Sequence, residues 1–463
     1  MRHFAPAASL FAAACASTTA QAPVLFKEVS VHDPSIILAG DTYYVFGSHL
    51  AAAKSSDLKN WEMVGAGANE RNPLFTNVRE ELKETFEWAE SRTLWAPDVV
   101  KLKDGRFALY YCACKGDSPR SALGLATSDQ PEGPYKNQGI LLKSGMWGQP
   151  SEDGRVYDPR IHPNAIDPSV FYDPSGRLWM VYGSYSGGIF IMKMDPKTGK
   201  PLPGQGYGKK LTGGNHARIE GAYVLRSPET KLYYLFVSFG GLDSRGGYNI
   251  RIMRSNQPDG PYVDAAGNQM IKAIADPSKP LFDDRSIEPY GTKLAGGFQF
   301  EGGHGYVSPG HNSAINDPKT GRSFIVFHAR FLGRGEGHQV RVHELVMNTK
   351  GWPLIAPYRY ASLTGRDVKL DEIPGKFQTV NHGAAVTAEL ARSQEVSFEQ
   401  GGRISGALQG TWKLGTKGLI ELTLGGVRYD GVILRQTKPE DGSRTLAFTA
   451  LSDKGVALWG MRD

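Results

Sequence analysis

Apolar and polar positions along this chain alternate in short runs instead of recurring at helical spacing, and the runs come in a repeated order. A polar or acidic residue and a turn-like partner open an apolar strand, a Gly, Asp or Lys turn follows, and a second strand rich in aromatic residues closes the unit. The unit is HDPSIILAGDTYYVFGS from His32, WAPDVVKLKDGRFALYYCA from Trp95, IDPSVFYDPSGRLWMVYGS from Ile166, IEGAYVLRSPETKLYYLFVS from Ile219 and HNSAINDPKTGRSFIVFHA from His311. Behind each lies a second half, for example LAAAKSSDLKNWEMVG, LGLATSDQPEGPYKNQG, GIFIMKMDPKTGKPL, IRIMRSNQPDGPYVDAAG and VRVHELVMNTKGWPLIA. It predicts a third strand, a turn of Asp, Asn, Pro and Gly, and an outer strand carrying Trp or Tyr. Units of about four short antiparallel strands, repeated five times, predict an all-β five-bladed propeller.

The copies start roughly 50 to 90 residues apart, so insertions sit between blades, the clearest at Asn69 to Arg92 and Ala265 to Tyr306. A TIM barrel would need helical patterns between its strands. Only the acidic stretch Glu80 to Glu90 has one, expected to be a solvated helix face. Trp61, Tyr135, Tyr262 and Trp352, at blade ends, are expected to pack between blades. Near Pro374-Gly375 the repeat stops, and VSFEQGGRISGAL, GTWKLGTKGLIELTL, VRYDGVILRQT and RTLAFTAL predict a small antiparallel β-barrel or sandwich. The chain therefore divides into a propeller over residues 23–365 and a C-terminal β-domain over 366–463.

Composition changes the picture at the amino terminus. Arg2 and His3, an Ala/Leu/Phe stretch and Ala20-Gln21-Ala22 make residues 1–22 a signal peptide, so the protein is expected to be secreted or periplasmic. Cys15 is a poor lipid-attachment site. No later apolar run is long enough to span a bilayer. The net charge of +6 over 463 residues comes without Lys/Arg runs, which argues against nucleic acid as a partner. Cys112 and Cys114 alternate along one strand, poor geometry for a mutual bridge, and are taken as packed thiols. A monomer is expected.

In a propeller the innermost strands converge on a central channel, so residues that open each repeat meet in space. Those positions hold His32-Asp33, Trp95 with Asp98, Asp167, Glu220 and His311. Hydrolysis of a glycosidic bond by inversion needs one carboxylic acid and one carboxylate roughly 6.5–9.5 Å apart, with water between the carboxylate and the sugar. Two carboxylates from different blades suit that gap, and a third raises the acid by like-charge repulsion. Asp-Pro-Ser is also an ordinary turn opener, and a lone His beside a strand is ordinarily a core residue.

HDPS at 32–35, WAPD at 95–98, NAIDPS at 164–169, IEGAY at 219–223 and GHNS at 310–313 together resemble the motifs of glycoside hydrolase family 43, most nearly its endo-α-1,5-arabinanases. The resemblance spans Val29 to Tyr360, and the C-terminal part resembles the β-domain of some extracellular members. It implies inverting endo-hydrolysis of arabinan, with Asp33 as general base, Glu220 as general acid and Asp167 tuning the acid. It also implies His311 as the one protein ligand of a central, mostly hydrated calcium ion, and arabinan and arabino-oligosaccharides as partners. Asp98 matches a position that is structural in the family. Substrate contacts are expected from Asn164, Asp167, Ser184, Tyr185 and Ser186 at the third blade, from Gly116 as a close backbone approach, and from Trp95 as a stacking ring. An exo-acting α-L-arabinofuranosidase or β-xylosidase shares these motifs, and a glycan-binding propeller that cuts nothing is the reading from another class.

Overall fold

The computed structural model describes Met1 and residues 22–462. The signal-peptide reading and Cys15 fall on residues outside that set, apart from Met1 and Ala22. Blade 1 is β1 (Ser35–Ala39), β2 (Thr42–Gly47), β3 (Ala51–Ser55) and β4 (Glu62–Gly65); blade 2 is β5 (Asp98–Lys101), β6 (Phe107–Cys114), β7 (Ser121–Ser128) and β8 (Lys136–Ser144). Blade 3 is β9 (Ser169–Tyr172), β10 (Leu178–Tyr182), β11 (Ile189–Met194) and β12 (Lys209–Thr212); blade 4 is β13 (Ile219–Arg226), β14 (Tyr233–Phe239), β15 (Asn249–Ser255) and β16 (Thr292–Ala295). Blade 5 is β17 (Phe298–Gln299), β18 (Gly305–Asp317), β19 (Arg322–Arg330), β20 (His338–Met347) and β21 (Pro353–Ile355).

The second strand of each blade is buried on both faces, and alternate side chains serve the two neighbouring blades. Tyr44 and Phe46 of β2 pack with Leu109 and Tyr111 of β6, while Tyr110 and Cys112 of β6 pack with Met180 and Tyr182 of β10. Trp179 and Val181 face Leu235 and Val237 of β14, and Tyr234 and Phe236 face Ile325 and Phe327 of β19. Phe324 and Val326 then return to Tyr43 and Val45 of β2, closing the ring. Closure also rests on the segment before blade 1: Glu28 pairs with Arg341 at 2.9 Å and Arg359 at 2.5 Å, and Val340 N–H donates to Val29 C=O at 3.1 Å.

Several local expectations need correction. The outer strand of blade 3 is Lys209–Thr212, with Pro201 making only an isolated bridge to Met194. That of blade 4 is Thr292–Ala295, supplied by the insertion after Ala265. The acidic stretch forms two short helices, α1 (Val78–Glu81) and α2 (Lys83–Ala89), but is more than a solvated face: Leu82, Thr85 and Ala89 are buried and the Trp88 indole N–H donates to Ser121 C=O at 3.0 Å. Trp61, Tyr135, Tyr262 and Trp352 are all buried as expected. Cys112 and Cys114 are free and buried.

The C-terminal part is a closed barrel and not a sandwich, in the order β22 (Gly375–Asn381), β24 (Gln394–Phe398), β25 (Arg403–Gly406), β26 (Gly410–Leu414), β27 (Leu419–Leu424), β28 (Val427–Thr437), β29 (Arg444–Ser452) and β30 (Ala457–Arg462). Phe377, Phe398, Trp412 and Phe448 fill its interior. Trp459 turns the other way, into the core shared with blades 4 and 5. A short strand, β23 (Ala391–Arg392), leaves the barrel to pair in parallel with β17 at the edge of blade 5. Among the described residues no helix is long and apolar enough to cross a membrane.

At the blade 4–barrel contact, Lys293 is buried and donates to Ala385 C=O at 2.8 Å; burial and the nearby Arg251 charge push its ammonium down to about 7. An unfolded lysine titrates near 10.4, so between about 7 and 10 this group holds more of its proton in the unfolded chain and its contribution to stability rises with pH. Asp167 and His311, both raised in the fold, act in the opposite sense over this range, so the Lys293 contribution is read as a difference: between pH 7 and pH 9 urea unfolding should show the stability of wild type relative to Lys293→Met increasing, by at most about 1.4 kcal/mol per pH unit.

Candidate active site

The innermost strands β1, β5, β9, β13 and β18 are neighbours in ring order, so their leading residues line one hub. Three of these residues adopt left-handed backbone conformations uncommon for a residue with a side chain: Asp33 at φ 56°, Asp167 at φ 54° and His311 at φ 45°. Gly221, beside Glu220, has φ 61°, and a Cβ there would lie 3.1 Å from the His311 ring. Such conformations cost of order 1–3 kcal/mol each and persist where the surroundings over-determine them. Here the surroundings do so: Asp33 N–H donates to His328 Nδ1 at 3.2 Å, and His311 N–H donates to Ser238 Oγ at 2.7 Å.

Asp33, Asp167 and Glu220 are all buried. Asp33 Oδ2 accepts from Ser48 Oγ at 2.5 Å and lies 2.8 Å from His32 Nδ1, and its Oδ1 lies 3.1 Å from His311 Nδ1. Burial alone would raise this carboxyl, but the His311 and His32 charges and their hydrogen bonds outweigh it and hold Asp33 well below the usual carboxylate range. Glu220 accepts from Ser184 Oγ at 2.7 Å and from Tyr248 OH at 2.8 Å, one hydroxyl on each oxygen. Burial raises it. Asp167 accepts from Gly221 N–H at 3.3 Å; burial, reinforced by the Glu220 and Asp33 charges, pushes it up to about 8. Burial depresses the His311 imidazole, but the same three carboxylates outweigh that and raise it to about 9. The hub thus holds one carboxylate poised to stay ionised, two that favour a proton, and a place where positive charge is strongly favoured.

The structure brings Asp33, Asp167, Glu220 and His311 together. Ser184 joins them through Glu220, and Tyr185 stands next to it, its hydroxyl donating to Gly240 C=O at 3.1 Å. Ser186 is buried and its C=O accepts from His216 N–H at 2.9 Å. Asn164 is buried and its amide oxygen is already taken by Ser121 Oγ at 2.5 Å, so that atom is a brace between blades. Gly116 and Trp95 adjoin each other, a Cβ on Gly116 falling 3.5 Å from the indole. Asp98 is buried and accepts from Ser35 Oγ and from Val170 N–H at 2.5 Å, tying blades 1, 2 and 3.

Ser48, Ser238, Tyr248 and His328 were missed. The serines were within reach, because Ser48, Ser184 and Ser238 close the second strand of their repeats in FGS, YGS and FVS, and each turns its hydroxyl toward the hub. Tyr248 and His328 carry no such mark.

A propeller hub with one depressed and two raised carboxylates belongs to the class of acid–base hydrolases. More specifically, the chain belongs to glycosyl hydrolases family 43, whose sequence model matches residues 21–284, and residues 357–460 match a C-terminal lipocalin-like domain. It is 56% identical over 450 residues to extracellular endo-alpha-(1->5)-L-arabinanase 2 of Bacillus subtilis, covering 96% of this chain and 95% of that protein. It is 49% identical over 451 residues to the extracellular endo-alpha-(1->5)-L-arabinanase of Thermotoga petrophila, covering 94% of each. The crystal structure of the Thermotoga petrophila endo-1,5-alpha-L-arabinanase superposes with a TM-score of 0.91, over 95% of this chain and 100% of that one. The family 43 YxiA protein of Bacillus licheniformis, 59% identical, superposes with a TM-score of 0.93 over 95% of this chain and 99% of that one.

Asp98→Ala would leave the Val170 N–H and the Ser35 hydroxyl without their acceptor. At about 1–3 kcal/mol for each of these two buried unsatisfied groups, denaturant unfolding should show a loss of about 2–6 kcal/mol.

Proposed function

We propose that the protein is an extracellular, inverting endo-hydrolase of α-1,5-linked arabinan. The observation that carries this reading is the electrostatic asymmetry of the hub, with Asp33 held ionised while Asp167 and Glu220 are both raised. The names of the relatives that align over nearly the whole chain support arabinan as substrate and an extracellular location, with residues 1–22 as the export signal.

In this mechanism the Asp33 carboxylate draws a proton from water as the water oxygen bonds to the anomeric carbon. Glu220 protonates the departing glycosidic oxygen as its bond to that carbon breaks. Burial, reinforced on Asp167 by the Glu220 and Asp33 charges, keeps a proton within the Asp167–Glu220 pair at neutral pH, and the Ser184 and Tyr248 hydroxyls orient the two Glu220 oxygens. In this reading Tyr185 and Ser186, next to Ser184, would border the bound sugar, and Gly116 and Trp95, which adjoin each other, would offer it a further contact.

A calcium ion fits the chemistry of the donor set. The three carboxylates already draw positive charge onto His311, and a cation held by the His311 imidazole with water completing its oxygen shell would replace that proton. When bound it would supply a fixed positive potential beneath the carboxylates.

Glu220→Gln and Asp33→Asn should each fold normally and lose several orders of magnitude in kcat on debranched arabinan, measured by reducing-sugar release; near-wild-type turnover in either would remove its role. Product sizes at early times should be oligosaccharides, and arabinose alone would mean exo action. Chelation should lower activity and calcium should restore it, with elemental analysis finding about one calcium per chain; His311→Ala should lose that metal.

A further inference from the structure

β22 and β24 are adjacent barrel strands, paired from Gly375↔Phe398 to Thr379↔Gln394. A hairpin between such strands needs only about 2–5 residues, yet here residues 382–393 leave the barrel and cross to blade 4. The departure is anchored by the His382 ring, edge-on to Trp459 with centroids 4.5 Å apart. The crossing is held by its backbone: Ala384 C=O accepts from Arg251, Ala385 C=O accepts from Lys293 at 2.8 Å, and Val386 N–H donates to Glu288 at 2.8 Å. The chain returns along β23 beside β17.

The crossing lands on two glycines next to the hub. A Cβ on Gly240 would sit 2.8 Å from the loop's own Gly247 carbonyl oxygen and 2.9 Å from Val386 Cγ1, and one on Gly247 would sit 2.8 Å from the Thr387 carbonyl carbon. Both glycines have positive φ, 90° and 73°, so this loop has neither the room nor the backbone for a side chain where the barrel segment lies. The loop they bound is closed by Gly241 N–H donating to Gly246 C=O at 2.8 Å. Its far side is fixed by blade 5, where Glu336 accepts from Ser244 N–H at 3.0 Å and Ser308 Oγ donates to Asp243 C=O at 2.8 Å. Both of its ends lead to the site: Gly240 C=O accepts the Tyr185 hydroxyl, and Tyr248, directly after Gly247, donates to Glu220.

We propose that barrel residues 382–393 are a positioning element of the catalytic centre: seated on Gly240 and Gly247, they clamp the 240–247 loop so that the Tyr248 hydroxyl stays on Glu220. This rests on the reading of Glu220 as proton donor. A misplaced donor matters most when the leaving oxygen needs a proton and least when it departs readily as a phenolate.

The test uses the full chain with residues 384–389 replaced by Gly-Asn-Gly, alongside Val386→Ala, Tyr248→Phe and the combination of the last two. The β22–β24 ladder is untouched by these changes, and the point variants carry the test if the excised chain does not fold. kcat and KM are measured on debranched arabinan and on 2,4-dinitrophenyl arabinobioside. The expected result is a kcat on arabinan lower by roughly tenfold, KM within about twofold, and a rate on the activated substrate within about twofold of wild type. Tyr248→Phe should show the same selective loss, and the combined variant should be little worse than the more impaired single variant, because both act on one contact. The proposal is overturned if folded segment variants keep wild-type kcat on arabinan, lose both substrates equally, change KM alone, or multiply with Tyr248→Phe. Failure of the underlying reading shows separately, as arabinan turnover retained by Glu220→Gln.

Discussion

Strands that are apolar on both faces cannot end a stack. Each second strand here sends alternate side chains to opposite neighbours, so every blade has two faces to bury and the sole arrangement that satisfies all ten is a closed ring. Phe324 and Val326 meeting Tyr43 and Val45 is the step that removes the last exposed face. The Glu28 pairs with Arg341 and Arg359 lock the segment that leads into blade 1 across that seam. Everything at the hub follows from closure, because the leading residues of five inner strands have no reason to meet until the fifth blade packs on the first.

Closure also makes the hub expensive. Three buried carboxylates repel one another and lose water, and isolated buried charge is unfavourable by many kcal/mol. The protein offsets this with a small set of donors: Ser48 and His32 on Asp33, Ser184 and Tyr248 on Glu220, Gly221 N–H on Asp167, and His311 facing all three. The donors are unevenly shared. Asp33 receives the imidazoles, and with them the charge that keeps it ionised, while Glu220 receives neutral hydroxyls and Asp167 one long amide contact. That inequality separates a base from an acid among three groups of the same chemistry.

The repeat was legible because the inner and second strands are the buried ones, where apolar runs and aromatic residues must appear. It faded outward. Lys209–Thr212 and Thr292–Ala295 are four residues long and lie at blade edges, where pairing needs backbone more than side chains, while Pro201-Leu202 and Tyr262-Val263 carry the apolar character expected of a strand without supplying one. At the hub, Asp33, Asp167, Glu220 and His311 were legible because repeat equivalence stands in for distance. Tyr248 and His328 were not, since their approach depends on the register of strands in other blades, on which a single sequence is silent. The 382–393 crossing had the composition of an ordinary loop, and only its landing place on Gly240 and Gly247 distinguishes it.

That crossing bears on why a barrel with a filled interior accompanies this propeller. Phe377, Phe398, Trp412 and Phe448 occupy the space where a lipocalin-like fold elsewhere holds a ligand, so the barrel's contribution lies on its outside. Its outer surface shares the Trp459 core with blades 4 and 5 and sends two carbonyls to buried Arg251 and Lys293. An arginine and a lysine whose charges burial disfavours are a poor way to hold a domain by charge alone. They are a good way to fix backbone, because the Arg251 guanidinium presents its donors in a planar fork and each side chain loses heavily if its acceptor moves. A contact built that way favours placement over strength, and what it places is the loop that ends at Tyr248.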